Sequence, residues 1–160
     1  MRLLSLLLAL LALPAAAQIT PGQSGSFAVG GQLGDFSGLA LKFDAGLPVQ
    51  VAAGWDFGGR DSFAAEAHAI IRQRTLAIPD LSAIGQLYAY QGLGAFLLLR
   101  EGDDRFDDDD DVGVGGSILL GTGLSFSGPF DVYLQAVPRL LVVPRTDFDV
   151  GLALGIRYYL

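Results

Sequence analysis

The final thirteen residues, Phe148–Leu160, alternate with a period of two. Phe148, Val150, Leu152, Leu154, Ile156, Tyr158 and Leu160 fall on one face; Asp149, Gly151, Ala153, Gly155, Arg157 and Tyr159 fall on the other. Successive side chains of a strand point to opposite faces, so the segment reads as a β-strand with one large apolar face. A strand of a soluble sandwich would set its bulky residues inward and Lys, Glu or Thr outward. Here the second face is mostly glycine and alanine with a few charges. That suits the crowded inside of a narrow barrel whose outer face meets lipid.

The same period resolves two segments that resemble membrane helices, Leu81–Leu99 and Val112–Phe130, each nineteen residues without a charge. The second holds six glycines, and a glycine inside a helix costs roughly 1 kcal/mol. Its apolar residues Val112, Val114, Ile118, Leu120, Leu124 and Phe126 share one parity, and Gly113, Gly115, Ser117, Leu119, Gly121, Gly123 and Ser125 the other. Period two fits better than 3.6.

Extended along the chain, this reading gives eight strands: Ser26–Gly34, Leu39–Asp44, Pro48–Phe57, Ser62–Arg74, Leu87–Leu99, Val112–Ser125, Phe130–Val142 and Asp147–Leu160. Turn-forming clusters such as Gly34-Asp35-Phe36-Ser37-Gly38 and Ser127-Gly128-Pro129 separate them. Most approach the 9–11 residues that a tilted strand needs to cross hydrocarbon. The aromatics fall into two levels. Phe27, Phe43, Tyr88, Phe126, Phe130 and Tyr158 lie near one rim, and Trp55, Phe57, Phe63 and Phe148 near the other. Such girdles flank the apolar band of membrane barrels. Three features fit less easily. Pro138 inside the seventh strand calls for a bulge. Gln73–Gln86 is long for a turn. Ser62–Arg74, with Phe63, Ala67, Ile70, Ile71 and Arg74, also matches helical spacing.

The N-terminus reads as a secretory signal spanning residues 1–17. Met1-Arg2 is the charged start, Leu3–Leu13 the apolar run, and Ala15-Ala16-Ala17 the cleavage motif. Eleven apolar residues are too few to span a bilayer. No cysteine follows the cleavage motif, so a lipoprotein anchor is not expected. Residues 18–160 then form one barrel domain. The net charge of the whole chain, −7, argues against nucleic acid as a partner, since phosphate recognition needs a basic face.

The tail FDVYLQAVPRLLVVPRTDFDVGLALGIRYYL (Phe130–Leu160) resembles the last hairpin of small bacterial outer-membrane barrels of the eight-stranded OmpA/OmpX-like group. AVGGQLGDFSGLALKFD (Ala28–Asp44) resembles their first. The resemblance implies an all-β, eight-stranded antiparallel up-and-down transmembrane β-barrel in the cell outer membrane. It also implies outer-membrane lipid and, during biogenesis, the barrel-assembly machinery as partners. In that family the closing strand ends in an aromatic residue; here Leu160 is last, after Tyr158 and Tyr159.

Two constellations bear on chemistry. Glu66 and His68 form the one His–carboxylate pair, expected to point inward with Arg72, Arg139 and Arg157. Lys42, Asp44, Gln50, Asp56, Asp131, Gln135 and Asp149 belong to the same inward set. Some eight-stranded outer-membrane barrels are lipid A-modifying enzymes that use His with Ser and Glu. No serine lies two residues from His68, so the residues favour a charge-paired interior over catalysis. Residues Glu101–Asp111 carry eight of the 17 acidic side chains. They read as a solvated loop with weak affinity for divalent cations, since the spacing fails as an EF-hand. One histidine and no cysteine cannot build a zinc site alone. The expectation is a monomeric barrel with a structural or surface-interaction role and no catalytic, cofactor or metal residues. A lipid-modifying enzyme using His68 and a secreted lipocalin-like barrel binding a small apolar ligand are the alternatives.

Overall fold

The computed structural model describes residues 27–44, 46–56, 62–81, 83–100 and 112–160. Eight strands run in chain order: β1 (Phe27–Gly34), β2 (Ser37–Phe43), β3 (Val49–Asp56), β4 (Ser62–Leu76), β5 (Gly85–Arg100), β6 (Val112–Phe126), β7 (Phe130–Val143) and β8 (Asp147–Tyr159). Each pairs antiparallel with its neighbours, and β8 closes on β1 to complete the barrel. The signal segment 1–17 and the acidic segment Glu101–Asp111 lie outside the described residues, as does Phe57.

The register fixes the geometry of the barrel. Followed across the ladders from Ala28, it passes Lys42, Gln50, His68, Gly94, Ser117, Arg139 and Asp149. Carried on to β1, it returns at position 38, a stagger of ten residues. With strand spacing near 4.8 Å and a rise near 3.3 Å per residue, that stagger tilts the strands by about 40°. Each residue then climbs about 2.5 Å of axis.

Strand parity sorts the side chains as the alternation predicts, and the barrel is polar inside and apolar outside. Phe148, Val150, Leu152, Leu154, Ile156 and Tyr158 are all exposed on the outer wall. Arg157, Asp131, Lys42, Gln50, Gln135 and His68 are each at most 2% exposed, in the lumen. Phe27–Phe43 and Phe130–Tyr158 ring pairs mark one rim, and the Trp55–Phe63 pair the other. Phe148 and Tyr158 stand ten residues apart on β8, which spans about 25 Å of axis, the height of an apolar band.

The strand reading of Ser62–Arg74 holds over the helical spacing, because its alternating Glu66 and His68 have lumenal partners that a helix would forfeit. Several other expectations need correcting. The connection from β4 to β5 is only residues 77–84, with a 3₁₀ turn at Pro79–Leu81, because both strands run further than their apolar runs suggest. Pro138 needs no bulge. It stays in register with Val150 of β8, and the ladder to β6 has no pairs between Ser117–Arg139 and Leu120–Ala136, where its missing N–H would fall. The register shifts lie elsewhere, between Ile70 and Arg72 on β4 and at the Val114–Gly115 step opposite β7. The first reverses parity. Gln73 turns into the lumen, and Arg72, expected inside, pairs with outward Gln91. Tyr88 is no girdle residue. It is 2% exposed, inside the barrel.

Candidate functional site in the barrel lumen

Several large inward rings sit where the neighbouring strand offers no Cβ. Tyr88 lies over Gly123, Tyr90 over Gly121, Phe96 over Gly115 and Tyr133 over Gly155, each a register partner. His68 lies over its partner Gly94 in the same way. The glycine face of the sequence is therefore the seating for the rings and cations that fill the barrel. Two polar tiers result, and a short apolar cluster of Ile70, Leu119, Val137, Tyr88 and Tyr90 also sits inside the barrel, its tyrosine hydroxyls joining the polar groups.

The tier nearer the start of β1 and the end of β8 is built on Arg157 and its register partner Asp131. Arg157 donates from Nε to Asp131 Oδ1 and from Nη2 to Oδ2, both at 3.0 Å, a bidentate pair. Its Nη1 reaches Gln50 Oε1 at 2.9 Å, and its guanidinium lies 4.2 Å from the centre of the Tyr133 ring. The Tyr88 hydroxyl donates to Asp131 Oδ2 at 2.5 Å, and the Tyr159 hydroxyl does so at 3.1 Å. Lys42 bonds Asp44 at 2.9 Å and the Tyr159 oxygen at 3.2 Å. Gln50 and Gln135 bridge the lumen at 2.7 Å. Strands β2, β3, β5, β7 and β8 all contribute, so this tier closes the lumen with charge that is paired.

The opposite tier is built on Arg139. It pairs with Asp35, with Glu66 at 3.1 Å and with Asp149 at 3.5 Å. Its guanidinium sits 5.7 Å from the Phe36 ring centre and 5.8 Å from that of Phe96. Beyond it opens a chamber of about 560 Å³ lined by Asp35, Asp56, Glu66, Arg139 and Asp149 with Phe36 and Phe96. Asp149, of inward parity, stands exposed at this mouth.

Between the tiers, His68 Nε2 lies 2.8 Å from Ser117 Oγ. The chain order does not show this contact, because Ser117 arrives from β6, opposite Gly94; its inward parity was legible, its register was not. The pair has nucleophile–base spacing. Its setting is different. Both residues are buried, Nδ1 has no hydrogen-bond partner among the described residues, and the Glu66 carboxylate is engaged by Arg139. Among the described residues no third group orients the ring, and neither His68 nor Ser117 lines the chamber. Among the described residues no three His, Cys, Asp or Glu side chains gather as metal ligands. Asp35, Phe36 and Phe96 escaped sequence reasoning because Asp35 and Phe36 fall in a turn cluster and Phe96 in a uniformly apolar run.

Compared with family models, curated proteins and solved structures, the chain matches none.

Proposed function

We propose that this chain is a small integral outer-membrane β-barrel, monomeric, with a structural or surface-interaction role in the bacterial envelope. The observation that carries the reading is the inversion of polarity. A wall rich in exposed Val, Leu, Ile and Phe surrounds a lumen that holds buried, paired ions. Such a wall in water would be an apolar patch far above the few hundred Å² that soluble monomers expose. In a bilayer it is the expected surface, and the closed sheet leaves no unpaired strand edge. The same wall weighs against a lipocalin-like carrier, as does the charged lining of the chamber, which suits no apolar ligand. Cell fractionation tests the reading. The protein is expected in detergent-extracted outer membrane, running faster on gels unboiled than boiled; recovery as a soluble periplasmic protein without detergent would refute it.

The His68–Ser117 contact keeps a lipid-modifying hydrolase as the second reading. The burial of both groups favours a structural role for the pair. Lipid A from cells expressing the His68→Ala variant is expected to equal that from cells with the parent chain; a lost modification would install the enzyme reading.

A further inference from the structure

On the outward face of the described strands, every side chain is apolar, small or uncharged except two, Arg72 and Arg74. The bulge at Ile71 causes this, since without it Arg72 would point into the lumen. Outward arginine is costly at the centre of a membrane barrel, roughly 2–4 kcal/mol, and nearly free at the interface. Arg74 stands two residues, and Arg72 four, from the end of β4, at the rim marked by Phe130 and Tyr158. Their cations therefore reach the headgroup level while their stems lie along the apolar wall.

Beside them the wall is concave. A groove of about 490 Å³ runs from Arg72 and Arg74 across Ala89, Thr122 and Ala136 to Leu152. Its floor is small because these outward positions carry Ala and Thr where neighbouring ones carry Leu. Gln91, the register partner of Arg72, adds an amide at the cationic end. One end of the groove thus offers two guanidinium groups and an amide, and the rest is apolar. That is the charge pattern of a phosphodiester with an acyl chain attached, and guanidinium matches phosphate oxygens in bidentate geometry.

We infer that the Arg72–Arg74 pair and the groove above it form a specific seat for one anionic glycerophospholipid, with its phosphate on the arginines and an acyl chain over Ala89, Thr122 and Ala136. The inference rests on the membrane reading proposed above. It makes the wall of β4–β8 unequal to that of β1–β3, which carries no outward charge.

The test uses the full barrel reconstituted in phosphatidylcholine vesicles, with insertion checked by heat-dependent gel mobility. Spin-labelled phosphatidylglycerol and spin-labelled phosphatidylcholine then compete for the barrel surface. The parent chain is expected to prefer the anionic probe roughly fivefold, the equivalent of about 1 kcal/mol. The preference should fall to near unity in Arg72→Gln/Arg74→Gln. It should also fall in Ala136→Leu, which fills the groove and leaves both cations, a change that diffuse charge attraction would not register. A barrel that inserts but shows no preference, or keeps it in the double variant, overturns the lipid seat and leaves the membrane reading standing. Preference kept in Ala136→Leu overturns the groove as its location. Failure of the parent chain to insert overturns both.

Discussion

Asp131 is the residue whose loss should cost the barrel most. Its carboxylate is fully buried and accepts from Arg157 twice, from Tyr88 and from Tyr159. In Asp131→Leu the Arg157 guanidinium stays behind with only Gln50 and the Tyr88 oxygen as acceptors. Breaking a buried ion pair from one side costs about 3–5 kcal/mol, because the remaining charge is left in a low-dielectric setting. Arg157→Met strands the carboxylate instead and should cost a similar amount. The double variant Asp131→Leu/Arg157→Met removes both charges and keeps apolar volume, so it should lie within about 2 kcal/mol of the parent. The single-variant costs would then fail to add by at least about 4 kcal/mol. Urea unfolding of the refolded barrel reads this through Trp55, the one tryptophan, which lies half exposed on the outer wall far from the substitution. A single-variant cost below about 1 kcal/mol, or a double variant equal to the sum of the singles, would refute the argument that this pair is a coupled buried unit.

Gly121→Val should displace the Tyr90 ring that lies over that glycine and destabilise the barrel by about 1–3 kcal/mol, measured by the same unfolding assay; Gly116→Val, at an outward position, is the control and should change little. In planar bilayers the protein should give no porin-sized conductance, because the Arg157 and Arg139 tiers both cross the lumen. A tag inserted at Asp109 should be labelled on intact cells, since β5 runs away from the rim where β1 begins and β8 ends. Calorimetry with calcium should show weak heats for the parent chain that vanish when Asp107–Asp111 are replaced by serine.

The strands were legible because period-two alternation survives in most of them: a slip by one residue would exchange Ile156 for Arg157 on the outer face of β8. Most of the lumenal set followed from the same parity, including Lys42, Gln50, Asp131, Gln135 and Arg157. Parity fails where a bulge adds a residue. The sequence around Ile70-Ile71-Arg72 holds no glycine or proline to announce one, so Arg72 was placed inside and Gln73 was missed. Register between strands was the other illegible quantity. Parity puts Ser117 and His68 in the lumen without saying that they meet, and it cannot tell which tyrosine rests on which glycine. Tyr88 shows the limit of reading aromatics by height alone: it has the height of a girdle residue and the wrong parity.

The inner ties join distant parts of the chain. Lys42 meets Tyr159 across 117 residues, Arg157 meets Gln50 across 107, and Arg139 meets Asp35 across 104. Each links the first three strands to the last two, so the β1–β8 seam is held from within as well as by its own ladder. A sheet not yet rolled would keep these charges hydrated on its polar face, and none of the ties could form until both chain ends arrived. Closure must then strip water from several ions in one step, with little reward from partial approach. The last event of folding becomes its steepest. Once the seam shuts, opening it requires the same ties to break together, so the barrel should persist far longer than the strength of any one strand pair would suggest.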